Sequence, residues 1–315
     1  MKNLKDIIKK IKEIHKISNK SYASIIKDIL YCKRKYKSSI RDYYSFQFYK
    51  RTKFERNTYI TEGINKEYIR KYNNYKYKMN LKNRIEFNKL FSKALNREWL
   101  ELRKTDFNTF KKFCYKHRTI IVRQSNKQKI IDTSNQDLRK IYDKLMEYSS
   151  VVIENQLKIC KTLERLQPNS MNVIKIVTFL GKTSMAVLEI GNKNKQINFF
   201  KDSLIAEINI NTGKIDYPAI DFKLNTYIKH PLTHKQIKGI KIPKWEAAKT
   251  LCETASLEIP FLGYIEWSIC ILEDKCSLIG VNAIPSYYLY QLSTHSDKKV
   301  GRLPILKEIE RKIEE

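Results

Sequence analysis

The stretch Tyr264–Ser286, YIEWSICILEDKCSLIGVNAIPS, decides how the fold is read. Two apolar runs, Ile265–Leu272 and Cys276–Ala283, flank a short polar turn, Glu273-Asp274-Lys275. Runs of this length bounded by a turn predict a buried β-hairpin. Side chains on a strand alternate between its two faces. Ser268 and Glu266 therefore share one face of the first strand, and Gly280 and Asn282 share one face of the second. Glu266 and the turn acids are expected to face solvent.

Upstream of the hairpin the pattern from Ser150 onward is mostly strand. Val151–Ile153 leads to Glu154, and Val173–Leu180 is followed by Met185–Ile190 after the turn Gly181-Lys182-Thr183. Leu204–Ile210 ends at Asn211-Thr212-Gly213, a strong turn signal. A loop-rich passage precedes a helix from Trp245 to Ser256. The region before Ser150 is mainly helical. Two helices are expected in 81–118, the second capped by Asp106, then a β-branched run Thr119–Val122 ending in Arg123. A further helix starts at Asn135 or Asp137, and the chain closes on LKEIERKIEE, a charged helix. This order argues for an α+β chain. Its divisions are a basic helical N-terminal region (1–80), a first lobe (81–149), a second lobe (150–286) and a helical tail (287–315).

The chain carries 62 Lys+Arg against 33 Asp+Glu, a formal charge of +29. Such a surface attracts phosphates, nucleic acids and anionic membranes. Lys, Asn, Ile and Tyr are also favoured by an AT-rich genome, so the charge has a second explanation. The first helical stretch, MKNLKDIIKKIKEIHKI, is amphipathic with a lysine face and suits an anionic membrane surface. No apolar run reaches the ~18 residues of a membrane span. The six cysteines form no CxxC pair and fit buried thiols in a reducing compartment. Asp42–Asn73 interleaves aromatic and basic residues, as base stacking and phosphate contact would require. It contains no RNP-type strand, GXXG loop or zinc knuckle, so nucleic acid is the less favoured partner. Pro231 between His230 and His234 argues against a helical metal pair. No GxSxG elbow, HExxH or P-loop is present.

Tyr227–Ser286 resembles the sugar-transfer-associated ATP-grasp family, found with bacterial capsule and surface-polysaccharide genes. The pieces that carry the likeness are His230-Pro231 with Thr233, then Gly239, Ile242-Pro243 and Trp245. Glu266-Trp267-Ser268 and Leu278-Ile279-Gly280-Val281-Asn282 with Pro285 follow. Further upstream, Leu166–Ser170 with Asn172–Thr178, Ile208–Gly213, and Glu55-Arg56 with Tyr59-Ile60-Thr61 continue it in one order across 40–286.

The resemblance implies an ATP-grasp-like two-lobe fold with a helical N-terminal region and a nucleotide between the lobes. ATP and Mg²⁺ are the implied cofactors, and activation of a carboxylate for attack by an amine is the implied chemistry. Carried over by position, Arg123 stands for a phosphate lysine and Glu154 for the acid beside adenine. Lys175 stands for an arginine and, with His230, is assigned to substrate or phosphate. Arg84 takes the place of another lysine. Asn282 matches a metal-side asparagine. Ser268 and Gly280 stand where the family has an Asp and a Glu, so metal binding and catalysis are expected to be impaired. The Gly-rich loop after Arg123 is replaced by SNKQK, and the glycine pair near Ser203-Leu204 is absent.

The leading expectation is an ATP-grasp-like protein of surface-polysaccharide assembly in the cytoplasm, peripheral to the membrane's inner face through its basic helix. Nucleotide and polysaccharide-assembly enzymes are its expected partners. A second reading is a non-catalytic scaffold for a glycosyltransferase or membrane surface. A third is an RNA-binding protein using 36–78.

Overall fold

The hairpin is the edge of a seven-stranded antiparallel sheet. The structure, a computed structural model, describes residues 2–74, 76–77, 81, 83–124, 127–168, 170–192, 203–292 and 300–315. A four-stranded sheet holds β1 (Trp99–Glu101), β2 (Thr119–Gln124), β3 (Lys127–Asp132) and β4 (Val152–Asn155) in the order β1-β4-β2-β3. The larger sheet holds β5 (Val173–Phe179), β6 (Lys182–Gly191), β7 (Ser203–Glu207), β8 (Ala219–Ile220), β9 (Thr226–Tyr227), β10 (Tyr264–Ile271) and β11 (Cys276–Asn282). Its order is β11-β10-β5-β6-β7-β8-β9. With its helices this is the α+β architecture expected.

β5, β6 and β10 are almost wholly buried because both sheet faces are covered. One face carries Ile174, Ile176, Leu188 and Trp267, packed under the helix Trp245–Leu257 and the rings of Phe87 and Phe91. Trp267 is fully buried, and its indole N–H donates to Thr178 Oγ1 at 2.8 Å. The other face carries Val177, Phe179, Met185 and Tyr264. It is covered by the N-terminal helices together with Tyr287, Leu289, Tyr290, Leu303 and Leu306. Tyr43, Phe46, Phe48, Tyr49 and Tyr59 are buried in that same cluster, so these rings are not available to stack nucleic-acid bases.

Local chemistry explains the helix starts. Ser39 with Asp42, and Thr52 with Glu55, form capping boxes that satisfy otherwise orphaned amide donors. Asp42 has a second role, because its buried carboxylate also accepts from Tyr287 Oη and Glu62 N. Asp106 and Asp137 cap the helices Phe107–His117 and Leu138–Met146, which cover the small sheet.

Three local expectations shift. The β5–β6 turn is Leu180-Gly181, both with positive φ, so β6 begins at Lys182 in place of Met185. A two-residue turn with two left-handed positions matches the twist of the strands it joins. The Ile208–Ile210 run leaves the sheet, because β7 stops at Glu207. Gly213 sits at φ +71, and a Cβ there would lie 2.5 Å from Trp245. The chain turns there, and Ile210 O accepts from the Trp245 indole at 3.0 Å. Finally, β3 occupies most of the expected loop after Arg123, with Gln124 paired to Lys127; Ser125 and Asn126 lie outside the described residues.

Asn73 ties the N-terminal region to the large sheet. Its amide donates to Tyr264 O and Ala283 O at 2.7 and 2.9 Å, and its carbonyl accepts from Tyr264 N at 2.8 Å. Asn73→Ala strands these buried backbone groups and is expected to cost about 2–4 kcal/mol in urea unfolding. A loss near zero would show that this seam does not hold the region in place.

Candidate functional site

Ser268 lies directly between Lys175 of β5 and Gly280 of β11, so these three positions form one row across the sheet. The next row places Glu266 between Val177 and Asn282. The face therefore presents the positions read from the hairpin together, as the alternation predicts. A Cβ added at Gly280 would meet Ser268 Cβ at 3.6 Å, an ordinary contact, so nothing at this position demands a glycine.

The charge on this face is arranged differently from the expectation. Glu266 is 2% exposed, a correction to its expected exposure. Its Oε2 accepts from Ser286 N at 2.8 Å and Tyr290 Oη at 3.0 Å, and Ser286 Oγ donates to Oε1 at 3.3 Å. Lys175 Nζ stands 3.7 Å from Glu266 Oε1 and 3.3 Å from Oε2 of Glu189 on β6. Ser203 Oγ donates to the other Glu189 oxygen at 3.0 Å. One ammonium is thus enclosed by two buried carboxylates. Burial pushes the Glu189 carboxyl above its usual range, against the pull of Lys175.

The second cluster joins the two sheets at the free edge of β11. Glu154 on β4 is fully buried and holds three guanidinium groups. Arg84 Nε donates to Oε1 and Arg123 Nε to Oε2, each at 2.7 Å, and Arg97 Nε is 3.4 Å from Oε1. Asn88 Nδ2 adds a bond to Oε1 at 3.1 Å. Two arginines continue across to β11. Arg84 donates to Ile279 O at 2.9 Å and Arg97 to Leu278 O at 2.6 Å. Asn96 donates to Cys276 O at 2.6 Å. Ile279 is the bulged residue, since Ser268 pairs with Gly280 and Ile269 with Leu278. The bulge turns its carbonyl out of the ladder, and the arginine takes it.

Burial alone would raise the Glu154 pKa. The positive charges of Arg123, Arg97 and Arg84 overcome that and hold its carboxyl well below the usual range. Burial pushes Arg97 down to about 10, so it stays charged at neutral pH. Three positive groups share one negative one. Arg84 Nη2 and Arg97 Nε are buried with no hydrogen-bond partner. A groove of about 830 Å³ opens elsewhere, on the Val122 side of β2, whereas Arg123 faces the opposite way.

His230 and Asn282 are committed locally. The His230 ring is fully buried: Nε2 bonds Gly191 O at 2.7 Å, and Nδ1 accepts from Leu232 N and Thr233 N at 3.3 Å. Burial pushes its pKa down, so the neutral ring closes this loop. Exposed Asn282 bonds both Ile284 N and Ile284 O. Arg123 and Glu154 meet in one cluster and Lys175 belongs to the other. Arg97 and Glu189 were missed by sequence reasoning. Glu189 had a signal, as the lone acid in the apolar run MAVLEIG. Arg97 had none.

The pairing of two antiparallel sheets across this edge accords with one match. The chain belongs to the sugar-transfer associated ATP-grasp family. The family model matches residues 113–299, more than half of the chain. Among solved structures, the chain is similar to the ATP-grasp ligase PsnB complexed with minimal precursor, at 12% identity and a TM-score of 0.47. That match covers 76% of this chain and 63% of PsnB, so the chain spans less than two thirds of that protein. It is also similar to D-alanine–D-alanine ligase from Bacillus anthracis, at 15% identity and a TM-score of 0.43, covering 73% and 66% of the two chains. No curated protein sequence matches.

The family implies ATP and Mg²⁺. Mg²⁺ requires a near-octahedral set of oxygens, usually with carboxylate charge. Ser268 and Gly280 supply no carboxylate, both Glu266 oxygens are engaged, and the Asn282 amide is tied to Ile284. Among the described residues no group of three or more His, Cys, Asp or Glu could hold a metal ion. The side chains present do not fit an ordinary Mg²⁺ centre. The arginine cluster suits an anion better, because three guanidinium groups share one carboxylate and the buried Arg84 Nη2 has no hydrogen-bond partner.

Removing Glu154 would leave three arginines without a counter-charge. Glu154→Ala is expected to lower stability by about 3–5 kcal/mol. Its folded pKa is depressed, so its contribution is full above about pH 4.3 and fades as the pH falls through the folded value. Urea midpoints between about pH 5 and 2 should therefore fall more steeply in the wild type than in Glu154→Gln, which keeps only the contributions of other carboxylates such as Asp28. Equal acid limbs in the two proteins would contradict the buried-latch geometry.

Proposed function

We propose that this chain is an ATP-grasp protein of surface-polysaccharide assembly that keeps the anion-binding half of a nucleotide site and has lost most of its metal-binding half. The observation that carries this is the excess positive charge of Arg84, Arg97 and Arg123 around the single Glu154. It stands beside a sheet row whose carboxylate positions hold Ser268 and Gly280.

In this reading Arg123 and Arg84 meet phosphate oxygens, and Glu154 sets their orientation on the adenine side. Lys175 balances Glu189 and Glu266 beside the Ser268 row. His230 shapes the loop at the Gly191 end of β6, and Asn282 is the remaining amide oxygen on the metal face. The ancestral chemistry is ATP-dependent ligation of a carboxylate to an amine. Without two carboxylates to hold a cation on the phosphates, that ligation is impaired, because the developing phosphoryl charge loses its main stabiliser. The scaffold reading has one observation in its favour, since Lys175 is held between two carboxylates and withdrawn from a ligand.

Calorimetric titration of ATP with and without Mg²⁺ tests the proposal. Binding of similar strength in both, lost in Arg123→Ala, is expected. Absence of binding at millimolar ATP would leave the scaffold reading, and strong Mg²⁺ dependence in the wild type would refute the loss of the metal half. Ser268→Asp with Gly280→Glu should introduce Mg²⁺ dependence of about tenfold or more in affinity, as added carboxylates do for a hard cation. An unchanged double variant would show that these positions do not face the ligand.

A further inference from the structure

The first two helices leave an apolar seam uncovered. Lys2–Ser18 and Tyr22–Tyr36 form an antiparallel pair joined at Asn19-Lys20-Ser21. Their inner faces are accounted for, since Ile14, Ile25, Cys32 and Tyr36 are buried in the core beneath. A second set of apolar residues lies round the side of each helix. Leu4 and Ile8 on the first, and Tyr22, Ile26 and Leu30 on the second, are spaced by four and so form one stripe per helix. All five are between 45% and 63% exposed. The His15 and Tyr22 rings stack at 4.3 Å and 23°, which ties the two helices together beside their turn. The two stripes leave apolar surface exposed on both helices of the pair.

The charge around the seam is of one sign. Lys5 and Lys12 border it on the first helix, and Lys27, Lys33 and Arg34 on the second, all exposed. Residues 1–37 contain twelve Lys and Arg against three Asp and Glu. One of those acids, Asp28, is already held by Arg56 at 2.8 Å. A second copy of this surface would meet it with like charge, which disfavours self-association. An anionic bilayer offers the complement, with apolar chains for the seam and negative headgroups for the flanking lysines.

We propose that the helical hairpin 2–36 docks this chain on an anionic phospholipid surface, with Leu4, Ile8, Tyr22, Ile26 and Leu30 entering the headgroup–acyl boundary. The proposal is independent of the nucleotide reading, because the seam shares no residue with the arginine cluster. It specifies peripheral contact, since no described helix is long and apolar enough to cross a membrane.

Co-sedimentation of the full chain with vesicles provides the test. Binding to mixed phosphatidylcholine–phosphatidylglycerol vesicles is expected to exceed binding to pure phosphatidylcholine by about tenfold or more, and to weaken as salt is raised. Ile8→Asn with Leu30→Asn, both at exposed positions, should weaken vesicle binding by about tenfold with an unchanged thermal melt. Should that pair fail to fold, Leu30→Trp provides an independent readout, its emission shifting to shorter wavelength on mixed vesicles. Equal binding to both vesicle types would overturn the proposal. So would wild-type binding by the double variant, an unshifted Leu30→Trp, or a dimer in light scattering that the double variant abolishes. Tighter binding to single-stranded RNA than to vesicles, lost in the same variant, would assign the surface to nucleic acid instead.

Discussion

One carboxylate, Glu154, connects the two sheets. It is buried on the small sheet, and the guanidiniums it holds reach the open edge of the large one. A buried charge is tolerated only when paired and hydrogen-bonded, and here each requirement is met by a residue from a different part of the chain. Arg84 opens the short helices of 84–95 and Arg97 follows them, Arg123 comes from β2, and the acceptor carbonyls come from β11. The arrangement also covers a sheet edge that would otherwise present unpaired carbonyls to solvent or to another chain. Lobe geometry, edge protection and excess positive charge therefore share one origin.

The sheet face behind this latch has its cation built in. Lys175 lies between Glu189 and Glu266, and its neighbour across the sheet is the small Ser268, then the bare Gly280. With both carboxylates paired to the Lys175 ammonium, the face offers no free carboxylate pair to ligate a divalent ion. A Cβ at Gly280 would make only ordinary contacts with Ser268.

Long, mainly apolar strands were legible, because burial on both faces writes itself as a nearly uninterrupted run; β5, β6 and β10 follow this rule. So were the pairs Glu266 with Ser268 and Gly280 with Asn282, each of which requires only alternation along its own strand, while their common face depends on the register across the hairpin. β1 and β3 were not read. β1 has three residues, and β3 opens with the polar Lys127-Gln128-Lys129, so neither shows a period, and both are strands because β4 and β2 lie beside them. The candidate site was legible one residue at a time and not as an arrangement. Arg123 and Glu154 were named separately, while their contact depends on β2 and β4 being neighbours. Glu266 was read as exposed because nothing local reveals that Ser286 and Tyr290 return to cover it. Arg97 acts through a partner 57 positions away in the sequence, a relation no local pattern records.

The clasp between the two ends of the described chain has a consequence for synthesis. The Gln291 side chain bonds both Ile60 N and Ile60 O across 231 residues, Asp42 meets Tyr287, and Thr58 O accepts from Leu303 N. The aromatic cluster of the N-terminal region is therefore enclosed only once residues more than two hundred positions further along the chain have been made. Contacts so distant form slowly, and apolar surface exposed meanwhile invites aggregation. Its density of lysine and arginine then has a physical benefit unrelated to any ligand: like charge along the emerging chain keeps unfinished copies apart until Tyr287, Leu289, Tyr290, Leu303 and Leu306 cover the cluster.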